Sequence, residues 1–287
     1  MIPGRRSHQP ARVRQSRATR LTLYTALIAT AVFAVFPIYW LVISSLKTPV
    51  ESGRIPATWW PQAPDFHAYL TVFEVVPFGR SFANSVILTV VCSVSVVMTS
   101  ILSGYVFAKY RFRGREKLFW AIVLTMFLPP ITTIVPLYNM MNSWNLNDTF
   151  LGLVLPWLAN PFGVFLMRQF IADIPDELID AARVDGASEV RIVASIVTPL
   201  LRPAVITLLV FTTVYYWNSF LWPLTILQST EKFPITVTLA QLLSYNTTVK
   251  YQSVVMAGVL VASIPTLLVF LLGQRVFVQG ISRTGVK

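Results

Sequence analysis

Residues 81–108 read SFANSVILTVVCSVSVVMTSILSGYVFA, a run of 28 residues without a single Asp, Glu, Lys, Arg or His. A helix needs about 20 predominantly apolar residues to cross the ~30 Å hydrocarbon layer of a bilayer, so this run is long enough to span it. Further runs without these charges occupy residues 21–46, 118–147, 149–167, 203–230 and 251–274. The pattern predicts an all-α integral membrane protein with six transmembrane helices.

The composition of the chain excludes an ordinary soluble domain. Of its 287 residues, 55% are hydrophobic and 12% are charged. Soluble domains have about 25% charged residues. A soluble protein with six such helices would also need a polar face on most of them, and these runs have none. Pro129 and Pro130 in the third run predict a kink, which membrane helices tolerate when neighbouring groups satisfy the freed carbonyls.

The Lys and Arg residues are distributed unevenly between the segments that connect the runs. Eighteen of the 23 lie in the N-terminal tail, in the segments after the second and fourth runs, and in the C-terminal tail. Because membrane-proximal loops rich in Lys and Arg stay in the cytoplasm, we expect both termini to be cytoplasmic. The predicted organisation is a basic tail at 1–20, a six-helix transmembrane domain at 21–278 and a cytoplasmic tail at 279–287.

The six runs contain no ionisable side chain other than tyrosines and Cys92. Secondary transporters typically keep an acid or base inside the membrane for the coupling ion, so that class is disfavoured. The sequence has no G-x-x-x-x-G-K-[ST] loop to hold ATP, and no catalytic or metal site is expected. Nucleic acid is not an expected partner either, because the basic residues cluster where anionic membrane lipids would neutralise them. The driving force of any transport would therefore come from a partner protein.

Residues 175–203, PDELIDAARVDGASEVRIVASIVTPLLRP, form an acidic and amphipathic segment between two uncharged runs. Pro175 suits the first turn of a helix, where Asp173 is placed to cap free amide groups. Gly186 predicts the end of this helix through a left-handed turn, and Ser188 is placed to cap a second short helix.

The first of these two helices predicts a docking face. At helical spacing, Leu178, Ala181 and Ala182 share one face, while Glu177 and Asp180 share a neighbouring one. A helix lying on lipid is the alternative, but anionic headgroups would repel a loop that carries six acidic residues against four basic ones between residues 168 and 202. The segment is therefore predicted to contact another protein at the membrane surface.

The stretch ELIDAARVDGA at residues 177–187, followed by Pro199 and Pro203, resembles the EAA motif of ABC-transporter permease subunits. The match continues in NSVILTVVCSVSVVMTSILSGYVFAKYRFRGRE (84–116), LGLVLPWLANPFGVFLMRQFI (151–171), YYWNSFLWPL (215–224) and PTLLVFLLGQRVFVQGISRTGVK (265–287). These segments are similar to the carbohydrate-uptake branch, and closely to its maltose-type second permease. Asp180 departs from the family's usual Glu but keeps the charge.

The resemblance implies a type I ABC importer permease in a bacterial inner or plasma membrane, importing a sugar or oligosaccharide. It implies four kinds of partner besides membrane lipids: a second permease, two cytoplasmic ATPases that bind the ATP and Mg²⁺, and an extracytoplasmic solute-binding protein. Segment 173–198 would be the coupling loop, with its ATPase-coupling residues at Glu177, Leu178, Asp180, Ala181, Ala182, Asp185, Gly186 and Ala187. The 279–287 tail resembles a tail that extends between the ATPases.

Substrate contacts are predicted from amide and aromatic side chains, which suit sugar hydroxyls and ring faces. The candidates are Asn139, Asn142, Tyr215, Tyr216, Trp217, Asn218 and Trp222. Helix packing is the alternative for all of them. Loops 47–80, with Trp59 and Trp60, and 228–253 are expected to meet the binding protein, although the tryptophans equally suit a lipid boundary. A glycerol-phosphate importer and a secondary transporter stay open as alternative functions.

Overall fold

The computed structural model of the protein describes residues 17–244 and 251–284, with side chains described up to Gly273. Throughout these ranges the regular secondary structure is helical. Most of the predicted tail at 1–20, the centre of loop 228–253 and the side chains of the predicted tail at 279–287 lie outside the described residues.

The α-helices of the described residues are, in chain order, α1 (Arg17–Ser45), α2 (Pro49–Ser52), α3 (His67–Val75), α4 (Phe78–Lys109), α5 (Arg115–Leu124), α6 (Pro130–Ser143), α7 (Phe150–Val154), α8 (Pro161–Ala172), α9 (Asp176–Val184), α10 (Glu189–Ile192), α11 (Thr198–Leu200), α12 (Arg202–Trp217), α13 (Leu221–Ile226), α14 (Ile235–Ser244) and α15 (Gln252–Thr284). Short 3₁₀ turns occur at Thr125–Phe127, Leu155–Trp157 and Thr230–Lys232, and a π turn occurs at Val193–Val197.

Three segments are long and apolar enough to cross a membrane as single helices: Thr19–Ser45, Phe78–Lys109 and Gln252–Gly273. Three further segments meet the same condition only as bent pairs: Arg115–Phe127 with Pro130–Ser143 (106°), Phe150–Trp157 with Pro161–Ala172 (40°), and Glu189–Leu200 with Arg202–Trp217 (85°). The described residues thus contain three membrane-spanning units, or up to six if each bent pair is one span.

The third uncharged run is bent far more sharply than a kinked helix. Leu128 and Pro129, each of which precedes a proline, have extended backbone with ψ of 123° and 128°. A proline disfavours helical backbone at the residue before it, and two consecutive prolines therefore break the helix over two residues. Pro130 then begins α6, where its missing N–H costs no intrahelical bond.

The fifth uncharged run was predicted as one span over 203–230, and this is wrong in its extent. Helix α12 begins at Arg202 and ends at Trp217, and α13 begins only at Leu221. Asn218 follows the last residue of α12, and its side-chain amide donates a hydrogen bond back to the Val214 carbonyl at 2.8 Å. Such local side-chain bonds compete with the helical pattern of the backbone.

The two ends of α4 contact different loops. Its 32 residues extend over about 48 Å at ~1.5 Å per residue. Near its C-terminus Lys109 pairs with Asp176 at 2.6 Å, and we call this the basic end. Near its N-terminus Arg80 pairs with Glu231 at 3.1 Å, and we call this the opposite end. The segments predicted to share one side of the membrane therefore meet at one end of the molecule.

The centre of the fold is the contact of α4 with α8 and α12. Ser100 of α4 faces Gly163 of α8, and four residues later in both helices Gly104 faces Met167. Because residue numbers increase along both helices in the same order, α4 and α8 run parallel. Small residues at such crossings let two helices approach closely, which is how helices gain dispersion contacts in a membrane.

Candidate coupling surface and substrate path

Helix α9 begins as predicted after Pro175, but Asp173 does not cap it. The backbone N–H of Asp173 instead bonds the Ile171 carbonyl at the end of α8, and no side chain caps the first turn of α9. The carboxylate of Asp176 lies in that turn and accepts a hydrogen bond from the Lys109 ammonium at 2.6 Å. This ion pair lowers the pKa of Asp176.

The end of α9 follows the sequence prediction. Gly186 has a φ of +79°, the left-handed conformation that costs other residues free energy. The N–H of Gly186 bonds the Arg183 carbonyl and that of Ala187 bonds the Ala182 carbonyl, both at 3.0 Å. Ser188 then caps α10 by accepting the Arg191 N–H at 3.4 Å. Local capping rules thus describe this turn well.

Ala182 lies on the inner face of α9, contrary to the prediction that it shares an outward face with Leu178 and Ala181. Ile179 and Ala182 are buried at 1% and 8% exposure, one helical step of three residues apart. Ile179 is larger than Ala182 and packs in the core. Because residues three apart lie on the same side of a helix, Ala182 is buried together with Ile179.

An apolar stripe remains on the outward face of α9. Leu178, Ala181 and Val184 follow one another at i, i+3 and i+6, and Val184 is 88% exposed. We call these three residues the docking stripe. Val190 on α10 adds a further apolar side chain at 76% exposure. Neither Val184 nor Val190 was predicted from the sequence to lie on this face, although Val184 continues the three-residue spacing.

The acidic residues of this surface are not equivalent. Asp180 pairs with Arg183 within α9 at 3.0 Å, and Arg183 also pairs with Glu189 at 2.8 Å. Glu177 and Asp185 have no ion-pair partner among the described residues. Of the three acids among the predicted ATPase-coupling residues, Asp180 is therefore the one with an ion-pair partner among the described residues.

Three of the predicted substrate residues are buried within the chain and hold other helices. The Tyr216 hydroxyl donates to the Trp157 carbonyl at 3.1 Å. The Trp217 indole donates to the Ala262 carbonyl at 3.0 Å. The Trp222 indole donates to the Leu153 carbonyl at 3.1 Å. Their polar atoms are therefore already satisfied by the backbone, as the packing alternative predicts.

Tyr215 and Asn218 are exposed and are the predicted substrate residues that line open cavities. Tyr215 borders two open cavities of about 650 Å³ and 500 Å³. Asn160 lines the first, and Asn218 lines the second. The residues that line both cavities are uncharged, with aromatic side chains and a few amides and hydroxyls. Such a surface fits a neutral ligand better than a charged one.

Asn139 and Asn142 lie on α6 and are not brought to these cavities. The side-chain oxygen of Asn142 accepts a hydrogen bond from the Asn147 amide in the following loop. Asn139 is exposed on the same helix. The structure thus separates these two asparagines from Tyr215 and Asn218.

Asp148 forms a clamp at the opposite end that the sequence analysis missed. Its carboxylate accepts the backbone N–H groups of Gln228 and Ser229, each at 3.0 Å, and the Ser229 hydroxyl at 2.5 Å. The Lys232 ammonium pairs with it at 2.8 Å. These bonds hold the pKa of Asp148 far below its usual range. The four residues, Asp148, Gln228, Ser229 and Lys232, are called the Asp148 clamp below.

We expect Asp148→Asn to destabilise the protein by roughly 1–2 kcal/mol, because charged hydrogen bonds are lost. Asparagine also adopts the left-handed backbone that Asp148 has at φ 54°, so the change isolates the charge. Asn145 has a similar φ of 56°, and Asn145→Asp is the matched control. Thermal unfolding in detergent, followed by tryptophan fluorescence, measures both. An Asp148→Asn protein as stable as the control would contradict the clamp.

The clamp also predicts a pH dependence. A carboxyl whose pKa is depressed by folding stabilises the protein above its ordinary pKa, and this stability is lost as the pH falls toward the folded-state value. The stability difference between the wild type and Asp148→Asn should therefore shrink below about pH 4, the ordinary range of aspartate. A difference that stays constant down to acidic pH would exclude the carboxylate as its source.

Comparisons with known proteins extend over nearly the whole chain. A family model described as "Binding-protein-dependent transport system inner membrane component" matches residues 96–283. The arabinooligosaccharides transport system permease protein AraQ of Bacillus subtilis is 31% identical over 272 residues, covering 93% of this chain and 96% of that protein. The sn-glycerol-3-phosphate transport system permease protein UgpE of Pectobacterium atrosepticum is 31% identical over 275 residues, covering 94% and 98%.

Among solved structures, the fold is similar to that of a bacterial ABC transporter involved in the import of the acidic polysaccharide alginate. The TM-score is 0.81 at 26% sequence identity, and the match covers 91% of this chain and 98% of that chain.

Proposed function

This chain belongs to the family of binding-protein-dependent transport system inner membrane components, and we propose that it is a permease subunit of an ATP-driven importer of sugars or oligosaccharides. The observation that carries the proposal is the full-length similarity to the arabinooligosaccharide permease. In the proposed complex a second permease completes the translocation path. Two cytoplasmic ATPases bind ATP and Mg²⁺, and a solute-binding protein delivers the substrate.

A glycerol-phosphate importer is the second candidate, because the glycerol-3-phosphate permease is equally similar. The uncharged cavities beside Tyr215 and Asn218 favour a neutral sugar, since a phosphate is bound mostly by cationic groups. Tyr215 and Asn218 are the proposed substrate contacts of this subunit.

Purification of the complex from native membranes tests the function and the substrate together. We expect the chain to co-purify with an ATPase and a solute-binding protein, and the binding protein to bind an oligosaccharide rather than sn-glycerol-3-phosphate. Uptake into vesicles should require ATP. ATP-independent uptake by this chain alone would instead support a secondary transporter, and binding of sn-glycerol-3-phosphate would support the second candidate.

The docking stripe and the acidic residues beside it are the proposed ATPase contact. Leu178, Ala181 and Val184 would fill the apolar centre, while Glu177 and Asp185 would meet basic groups at its edge. Three small or medium apolar side chains bury a few hundred Å² at most, worth only several kcal/mol at about 25 cal/mol per Å². Stable assembly would therefore also need the 279–287 tail and the matching loop of the second permease.

Cysteine cross-linking distinguishes the two faces of α9. In a Cys92→Ser background, which removes the chain's single cysteine, Ala181→Cys should cross-link to cysteines in the ATPase cleft. The yield should change when ATP binds. Ala182→Cys is the matched control, and its 8% exposure predicts a low yield. Efficient cross-linking of position 182 with none at 181 in any nucleotide state would contradict this orientation.

The proposed orientation places the basic end, with both termini, in the cytoplasm. A reporter fused after Lys117 or at the C-terminus should therefore be cytoplasmic, and one inserted near Asp65 should be external. Alkaline phosphatase and a fluorescent protein, active on opposite sides of the membrane, provide complementary readouts. A cytoplasmic signal from the Asp65 insertion would overturn the arrangement.

A further inference from the structure

Two hydrogen-bonded contacts join α9 and α10 to the C-terminal part of α4. The hydroxyl of Tyr105, a residue only 3% exposed, donates to Glu189 Oε2 at 2.7 Å. One helical turn later, Lys109 Nζ pairs with Asp176 at 2.6 Å and also bonds the Ile174 carbonyl. The first contact reaches α10 and the second reaches the start of α9.

Arg183 connects α9 to α10 through Glu189, the residue that Tyr105 also contacts. Its Nε donates to Glu189 Oε1 at 2.8 Å, so one carboxylate receives both Arg183 and Tyr105. Its guanidinium also lies 5.8 Å from the centre of the Tyr110 ring. Because Arg183 lies on α9 and Glu189 on α10, the two helices form one body, which we call the coupling unit.

The apolar contacts of the coupling unit are few. Ile179, Ala182 and Ile192 are its buried apolar side chains. Apolar contacts have no preferred direction, whereas charge-assisted hydrogen bonds are short and directional. The bonds of Tyr105 and Lys109 are therefore the directional contacts that join the unit to α4.

Helix α4 extends from the coupling unit to the opposite end. There the Asn84 amide donates to the carbonyls of Glu231 and Phe233 at 2.9 and 3.1 Å, and the Ser85 hydroxyl accepts the Ile235 N–H at 2.8 Å. One continuous helix thus holds the coupling unit at one end and the 231–235 segment at the other.

We propose that Tyr105 is a positioning residue that, through Glu189 and Arg183, locks the coupling unit to α4, so that the unit, α4 and the 231–235 segment move as one body. The proposal rests on the proposed function, because the partner that displaces the unit is the ATPase. Coupling of this kind is reciprocal. Docking of the binding protein at the 231–235 segment would therefore also act on the ATPase.

Tyr105→Phe tests the lock in the complete importer reconstituted in proteoliposomes. The variant keeps the buried ring and loses the hydroxyl. We expect the number of substrate molecules imported per ATP hydrolysed to fall roughly tenfold or more, the factor that corresponds to the loss of one hydrogen bond to a charged group. Stimulation of ATP hydrolysis by the substrate-loaded binding protein should fall by a similar factor.

Ser263→Ala is the matched control. The Ser263 hydroxyl on α15 also donates a hydrogen bond of 2.7 Å, to the Val259 carbonyl, outside the coupling unit and outside the loops expected to meet the binding protein. Ser263→Ala should leave the import ratio unchanged. A merely structural role of Tyr105 would lower the yield of assembled complex and leave the ratio of import to hydrolysis at the wild-type value, and that result would overturn the proposal.

A second variant covers the case in which Tyr105→Phe fails to assemble. Asp176→Asn removes the charge of the other contact at a side chain that is 74% exposed, and the Lys109 ammonium keeps the Ile174 carbonyl as a partner, so the fold should tolerate it. The import ratio should fall here as well, and an unchanged ratio would overturn the proposal. If the wild-type complex hydrolyses ATP without importing any sugar, the proposed function fails, independently of either variant.

Discussion

Gly104→Leu is expected to eliminate most of the folded protein from the membrane. An ideal Cβ at this position would lie 2.8 Å from Met167 Cβ and 2.9 Å from the backbone nitrogen of Arg168. The backbone of α8 cannot move aside as a flexible side chain can, so α4 and α8 would have to separate. Overpacking of this kind costs about 1–3 kcal/mol or more, and here it falls on the central contact of the fold.

The amount of protein extracted as a monodisperse species measures the effect. Cys92 gives a second readout, because it is the single cysteine and is completely buried on α4. Its reaction with a maleimide should be slow in the wild type and fast in Gly104→Leu.

Alanine variants provide a matched pair for the same helix. Gly104→Ala adds only the clashing Cβ and should lower the thermal stability. Gly79→Ala should not, because a Cβ at Gly79 meets only the Phe73 ring at an ordinary contact distance of 3.8 Å. If Gly104→Ala and Gly79→Ala have equal stability, the close approach of α4 and α8 is contradicted.

Gly186→Leu is expected to reduce uptake by about tenfold or more while the protein inserts and accumulates normally. The left-handed backbone at φ +79° costs a leucine about 1–2 kcal/mol. Apart from its two chain neighbours, no described residue has an atom within 4 Å of an added Cβ, so the described fold has room for the side chain. The loss of uptake would then come from a distorted turn and from bulk placed against the ATPase. Uptake assays with parallel quantification of the protein measure the effect.

Gly114 provides a control with the same backbone cost. It has a φ of +87°, and an added Cβ there would also have no atom of a described residue within 4 Å beyond its chain neighbours, but it lies in the loop before α5, outside the coupling unit. Gly114→Leu should therefore keep most of the uptake. Equal damage from both leucines would assign the effect to backbone strain alone and would remove the support for docking at Gly186.

The sequence by itself determined the class of the protein. Uncharged runs as long as a bilayer is thick allow few folds other than membrane helices, and the structure and the family match confirm an all-α permease. It also determined the local turn of the coupling segment, because the conformation at Gly186 and the cap at Ser188 depend on neighbours only a few residues away.

The packed faces of the helices were decided only by the tertiary structure. A run that is apolar all round has no polar side to show which face meets a neighbour, so the burial of Trp217 and Trp222 could not be separated from a substrate role. On α9, contacts with residues distant in sequence determine that Ile179 rather than Leu178 is buried, and Ala182 is buried on the same face as Ile179.

The polar contacts that fix the molecule were also decided by the tertiary structure. Asp148 meets Lys232, and Tyr105 meets Glu189, and each pair is separated by 84 residues in the chain. No local propensity depends on so distant a residue. These bonds exist because long helices return the chain to the same two ends of the molecule, where a buried or half-buried charge is stable only beside a partner.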